Sequence, residues 1–280
     1  MPNMSDANGF AVVRETLSNA KRLFGTRLRS VYALGSLAHG GFSPLVSDVD
    51  VALILTDPIQ DEDAATIQSI CNEVKAIGWP LADRLSIFWG SASSLAGQAP
   101  GGRFPALDRL DLRLNGRLFF GDPLSDGVPA PSQRQLVLEA AEFGLKLLDQ
   151  PDALREFTDP KFLLSKGARA VTKRILFPIR FLFTAATGEL GQNEAAVKHF
   201  VSNHDGTVAD LARRAISWRE APPCDNEETR AYLLGGIVDL YRLFLEDYIV
   251  RVEAFGDSTL AARLAERCGR LPTTETMRNL

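Results

Sequence analysis

Asp48 and Asp50 stand two residues apart at the head of an apolar run that continues to Leu55. In an extended strand, residues two apart point to the same side. The two acids therefore share one face, while Val49, Val51 and Leu53 share the other and can be buried. A rise of ~3.3 Å per residue separates the two backbone positions by ~7 Å, and the side chains can bring the oxygens closer. At ~5 Å and an effective dielectric near 20, two carboxylates repel by roughly 3 kcal/mol. A divalent cation removes that cost, and oxygen-only ligands favour Mg²⁺ or Mn²⁺ over zinc. By itself, Asp-x-Asp also describes a solvated surface hairpin.

The surroundings sharpen the reading. Val31–Leu34 is a short apolar strand that breaks at Gly35-Ser36, and eleven residues then lead to Asp48-Val49-Asp50. Strand, Gly-Ser, fixed gap and acid-bearing strand together resemble the nucleotidyltransferase superfamily, which includes the antibiotic nucleotidyltransferases and polymerase-β-like enzymes. The resemblance implies that the Gly-Ser turn holds nucleotide phosphates and that the paired acids hold the metal. Gly35, lacking a Cβ, lets the backbone approach the phosphates closely, and Ser36 offers them a hydroxyl and an N–H. Ser47 either bonds the same phosphates or caps the strand. The family also places a carboxylate on the third strand as base or extra metal ligand. Asp83 is the acid available here, although alignment by apolar positions puts Arg84 in that place. The implied reaction moves a nucleoside monophosphate, AMP from ATP or another NTP, to a hydroxyl of a small-molecule acceptor with Mg²⁺ or Mn²⁺. Transfer to RNA or protein, and a nucleotide-binding partner without turnover, are the alternatives.

A second resemblance lies further on. Ile179–Gly188 followed by Asn193-Glu194-Ala195-Ala196 is similar to a helix–turn–helix of the streptomycin/spectinomycin adenylyltransferases. It implies that Arg180, eight residues before the glycine, reaches the nucleotide phosphates, as its permanently charged fork suits. The family expects a lysine where Asn193 stands, so that contact is lost or comes from Lys198. Lys166, Arg169, Lys173 and Arg174 put positive charge on the same segment, which argues against a polycationic acceptor there. The acids Asp108 and Asp111 read as solvated helix positions.

These residues need elements to hold them. The expected fold class is α/β (α+β): a small mixed-sheet nucleotidyltransferase domain over residues 1–128, then an all-α helical-bundle domain over 129–280. The expected elements of the first are a helix over 10–24, strands over 30–34 and 49–55, a helix over 63–77 with Ile67, Ile70, Val74 and Ile77 inward, and a strand over 84–89. Helices are expected on one face of the sheet. A Gly/Ser-rich loop spans 90–105, and a helix, then a short strand, fill 107–123. In the bundle, helices are expected over 133–148 with Leu136, Ala140, Phe143 and Leu147 on one face, over 163–187 with a break at Pro178, over 194–201 capped by Asn193, and over 227–252. About five helices result, with a frayed tail after Leu271.

Bulk properties narrow the class. The chain has 280 residues, 45% hydrophobic, 24% charged, with net charge −4. That suits an ordinary globular chain long enough for two domains, and it disfavours generic duplex binding through a basic footprint, although nucleic acid is not excluded. Cys71, Cys224 and Cys268 are too far apart in sequence for a zinc knuckle or a disulfide framework, consistent with a reducing, cytoplasmic setting. No secretory leader and no membrane-length apolar run is expected. His39, His199 and His204 lack ligand spacing.

Overall fold

The computed structural model describes residues 4–272, and contacts divide the chain between Pro131 and Ser132 into two units. The first opens with helix α1 (Met4–Phe24) and strand β1 (Leu28–Leu34). A short helix α2 (Gly35–His39) leads to β2 (Val49–Leu55), then α3 (Asp63–Ala76) and β3 (Leu85–Ser91). Helices α4 (Ala92–Leu95) and α5 (Ala106–Asn115) precede β4 (Arg117–Gly121). The sheet order is β3-β2-β1-β4. β1 runs antiparallel to β2 and β4, whereas β2 and β3 are parallel.

Period-two alternation decides which side chains go where. Val49, Val51, Leu53 and Leu55 of β2 face a core shared with Val12, Val13 and Ala20 of α1 and Ile67, Ile70 and Val74 of α3. Ala52 and Ile54 face the other way, into a second core with Tyr32, Leu34, Phe88, Leu95 and Leu112. The expectation of one covered face is therefore corrected. The central strands β1 and β2 are apolar on both sides, and α4 and α5 cover the second. Ile77, expected inward, lies past the end of α3 and is 39% exposed.

The second unit is helical: α6 (Gln133–Leu148), α7 (Ala153–Thr158), α8 (Pro160–Ser165), α9 (Ala168–Thr187), α10 (Asn193–Asn203), α11 (Gly206–Ser217), α12 (Glu227–Ala254) and α13 (Ser258–Gly269). These eight among the described residues exceed the expected five, because α7, α11 and α13 lie outside the expected ranges and the 163–187 segment divides into α8 and α9. The expected tail beyond Leu271 falls almost wholly outside the described residues. Four starts are capped through side chains: Ser132 with Gln135 in a reciprocal box, Asp159 on the Phe162 amide, Asn226 on the Thr229 amide, and Asp257 on the Leu260 amide. Such caps each contribute about 1 kcal/mol.

Three expectations about this unit are corrected. α9 runs through Pro178, and the interruption comes instead at Gly167, whose φ of 86° lies in the left-handed region. A proline removes one helical hydrogen bond, and tight packing of Ile175 and Ile179 on either side offsets the loss. Asn193 is the first residue of α10 rather than its cap; Gln192 holds the cap position without a side-chain bond. On α6 the buried face is Leu136, as expected, with Val137, Ala141, Gly144, Leu145 and Leu148, while Phe143 is 40% exposed. The expected stripe was out of phase because Gly144, with no apolar side chain to read, is where Phe244 presses closest. A Cβ there would stand 2.7 Å from its ring.

A buried ion pair ties the first unit together. Asp63, wholly buried at the head of α3, takes the Arg27 guanidinium in a fork at 2.6 and 2.8 Å and the Gln60 N–H at 2.8 Å. Burial opposes the charge on Asp63, but the Arg27 and Gln60 hydrogen bonds outweigh it and hold the carboxyl below its ordinary value. Asp63→Asn is expected to cost about 3 kcal/mol in urea unfolding at neutral pH, because Arg27 loses its partner. A depressed carboxyl stabilises above its unfolded pKa of ~3.9 and loses that contribution as pH falls through the folded value. The gap between wild type and variant should therefore close on acidification below about pH 4, as repeating the titration in acid will check.

Candidate active site

Strand register brings the Gly35 turn and Asp50 together at one end of the sheet. Antiparallel pairing sets Leu34, the last residue of β1, opposite Asp50 near the start of β2. Gly35 follows immediately, with φ +62°, and a Cβ on it would lie 2.6 Å from Asp50 Oδ2. Glycine is thus required twice, for the left-handed backbone and for the room the carboxylate occupies. Asp48 and Asp50 are both half-buried. Asp50 alternates with inward-facing Val49 and Val51, as the spacing predicted.

Serine chemistry holds the connecting loop. Ser47 Oγ accepts the Ser43 N–H at 3.0 Å, and the Ser36 hydroxyl donates to Ser47 Oγ at 3.1 Å. Ser47 is buried, so its hydroxyl sets the loop and supports Ser36. Arg84 reaches the same loop, donating to the Pro44 carbonyl at 2.8 Å.

Asp83 lies outside the strand ladder. It sits in a tight turn over Ala82–Arg84 before β3 begins and is exposed. Parallel register places Ser86 opposite Asp50. The β3 side chain beside Asp50 on its face is therefore a serine, neither Asp83 nor Arg84. The turn made by Leu81, with φ 70°, is what displaces Asp83 from the ladder.

One acid at this end was misjudged from sequence. Asp111 on α5 is buried, and its Oδ2 accepts the Gly35 N–H at 2.6 Å. Its Oδ1 accepts from the Asn115 side-chain amide at 3.0 Å. The available signal was its place between Leu110 and Leu112, both buried, which puts the acid on the helix's inner side.

Asp48 and Asp50 offer oxygen donors of the kind Mg²⁺ takes, and Mg²⁺ characteristically binds one or two carboxylates while keeping water and substrate phosphates as its other ligands. Among the described residues no group of three or more His, Cys, Asp or Glu side chains forms a metal cage. Two carboxylates are a donor set that fits a cation keeping water and phosphate as its other ligands.

In the second unit, Arg180 Nε donates to the Gly191 carbonyl at 2.5 Å, and Thr184 Oγ1 accepts the Gly191 N–H at 3.1 Å. Together they pin the turn between α9 and α10. Burial, reinforced by the like charge of Arg180, lowers the Arg219 guanidinium from its usual range. The basic segment is less free than its sequence suggests: Lys166 bonds Asp152 and Glu156, while Arg174 pairs with Glu156 and Gln150. A cavity of about 270 Å³ opens between α9, α10 and α12, with Phe183, His199, His204, Asp247 and Arg251 in its walls. No helix among the described residues is long and apolar enough to cross a membrane.

No family model and no curated protein matches the chain. A solved structure does: the spectinomycin adenyltransferase AAD(9) from Enterococcus faecialis, crystallised with ATP and spectinomycin. The match has a TM-score of 0.60 at 14% identity and covers 91% of this chain and 99% of that one. The chain shares the fold of that adenyltransferase. That fold, a mixed α/β unit followed by helices, is the one its Gly-Ser and Asp-x-Asp spacing resembles.

Gly35→Ala tests the geometry at the turn directly. The added methyl must displace the Asp50 carboxylate in a backbone conformation that alanine resists, so a loss of about 1–3 kcal/mol is expected in chemical denaturation. A variant as stable as wild type would contradict the close approach.

Proposed function

We propose that the chain is a Mg²⁺-dependent nucleotidyltransferase that moves AMP from ATP to a hydroxyl of a small molecule, an aminoglycoside or aminocyclitol antibiotic being the favoured acceptor class. The observation that carries this reading is the close approach of Asp50 to the Gly35-Ser36 turn at one sheet end, with Asp48 two residues before it in the chain. The overall likeness to a spectinomycin adenyltransferase supports it. So does the internal pairing of Lys166 and Arg174, which weakens the objection to a cationic acceptor.

The residues present have definite parts in such a reaction. The acceptor oxygen attacks the α-phosphorus, a new O–P bond forms, the bond to the bridging oxygen breaks, and pyrophosphate leaves with the electron pair. The acceptor proton passes to water or to a base. Asp48 and Asp50 would hold Mg²⁺, which when bound neutralises the gathering negative charge on the phosphates. The Ser36 hydroxyl, which donates to Ser47 Oγ in this structure, would turn from that bond to donate to a phosphate oxygen. Gly35 keeps that turn free of a side chain.

One observation favours a second reading. With Ser86 rather than an acid beside Asp50 on β3, a nucleotide-binding protein without turnover is the alternative. ATP with Mg²⁺, at about a hundredfold excess over Kd, should raise the melting temperature by roughly 5 °C. The rise should vanish in Asp48→Ala and Asp50→Ala; no rise with any NTP in wild type would sink both readings. Pyrophosphate release against a panel of aminoglycosides, spectinomycin and tRNA separates them: stabilisation without release under any acceptor leaves the binding protein. Asp83→Asn should keep turnover within about threefold, and a loss of a hundredfold or more would return Asp83 to the site.

A further inference from the structure

We propose that Asp111 is a positioning residue for nucleotide binding: its carboxylate clamps the Gly35 amide and so fixes the turn from which Ser36 projects. This deepens the nucleotidyl-transfer reading and rests on it. The contact is short, 2.6 Å from the Gly35 nitrogen to Asp111 Oδ2, as expected when an ionised acceptor meets a backbone donor. The second oxygen is satisfied by Asn115 at 3.0 Å. An acid only 6% exposed is a costly way to cover one amide unless its geometry matters, since burying a carboxylate is unfavourable without such partners.

The geometry also states what the clamp does. The Gly35 N–H is spent on Asp111, so what the turn offers a phosphate comes from Ser36 onward. Asp111 Oδ2 lies 2.6 Å from the Gly35 nitrogen, and Asp50 Oδ2 lies 2.6 Å from the place of its missing Cβ. Adding the two backbone bonds bounds the separation of these oxygens at about 8 Å. Glycine 35 is thus gripped from its amide side by one acid while the other, a metal-ligand candidate, fills the space above its α-carbon. Releasing the amide lets the turn relax toward Asp50 and shifts Ser36 with it. Helix α5 supplies both clamp residues because Asp111 and Asn115 are four apart and so lie one turn above each other.

The test uses the full chain, with Asp111→Ala, Asp111→Asn and the milder Asn115→Ala. Asp111→Ala should weaken binding of a non-hydrolysable ATP analogue with Mg²⁺ roughly tenfold in calorimetry, the scale of one charge-assisted hydrogen bond. Asp111→Asn, whose amide oxygen can still accept the Gly35 N–H, should recover binding to within about threefold of wild type. Hydrogen exchange at Gly35 and Ser36 should quicken in Asp111→Ala and not in Asp111→Asn. A lowered melting temperature in Asp111→Ala with wild-type affinity would reduce Asp111 to a structural tie and overturn the proposal. Asparagine as damaging as alanine would overturn it too, because the charge and not the clamp would then matter. Should Asp111→Ala fail to fold, Asn115→Ala decides: about threefold weaker binding supports the clamp, and unchanged binding with unchanged exchange rejects it. If wild type binds no nucleotide, the transferase reading falls, whereas quickened exchange in Asp111→Ala still establishes the clamp on the turn.

Discussion

The rest of the site depends on one close approach: two carboxylates against a single glycine. Asp50 occupies the space a Cβ would need, and Asp111 takes the amide of the same residue. Each contact constrains the other. The left-handed backbone of Gly35 turns its N–H toward α5, and this turn brings the β1 end alongside the start of β2. A larger residue would break both contacts at once. The arrangement concentrates negative charge that attracts a cation, and it does so on the rigid end of a four-stranded sheet. Rigid placement is what allows charged groups to be pre-oriented at little cost when a ligand arrives.

Around that point the first unit is built for stiffness. Both faces of the central strands are buried, so their register cannot slip without exposing a core. The Arg27–Asp63 fork locks the base of β1 to the head of α3, and Ser47 and Arg84 brace the loop that delivers Asp48. The second unit relies on different physics. Its interior combines aromatic packing, with Phe157, Tyr241, Phe244 and Tyr248 in one chain of contacts, and a buried Glu156–Arg174 pair. The Tyr241 hydroxyl, deep in this region, is pushed up to about 12, chiefly by burial. That network explains why a segment that looks basic in sequence is largely neutralised in place.

Much of this was written plainly in the sequence. The β2 strand and the burial of Val49, Val51 and Leu53, with Asp50 alternating between them, follow from period two alone. The stripe of Leu233, Ile237, Leu240, Phe244 and Tyr248 likewise fixes the inner face of α12. These are local regularities, set by backbone geometry within a few residues, and no partner can alter them. The Gly-Ser turn belongs with them, because a break between two apolar strands leaves few other conformations.

What only the tertiary structure decided is which distant residues meet. That Ser86 faces Asp50 depends on the register between two strands joined by a helix, and a shift of one residue would have presented Leu85 or Ile87 instead. That Asp111 is a buried clamp and not a solvated acid depends on α5 lying across the end of β1, 76 residues away in sequence. The phase of α6 turned on Phe244 pressing into Gly144, a contact made by an absence of side chain. In each case the deciding energy comes from a contact between segments, and such contacts leave no periodic trace in either one.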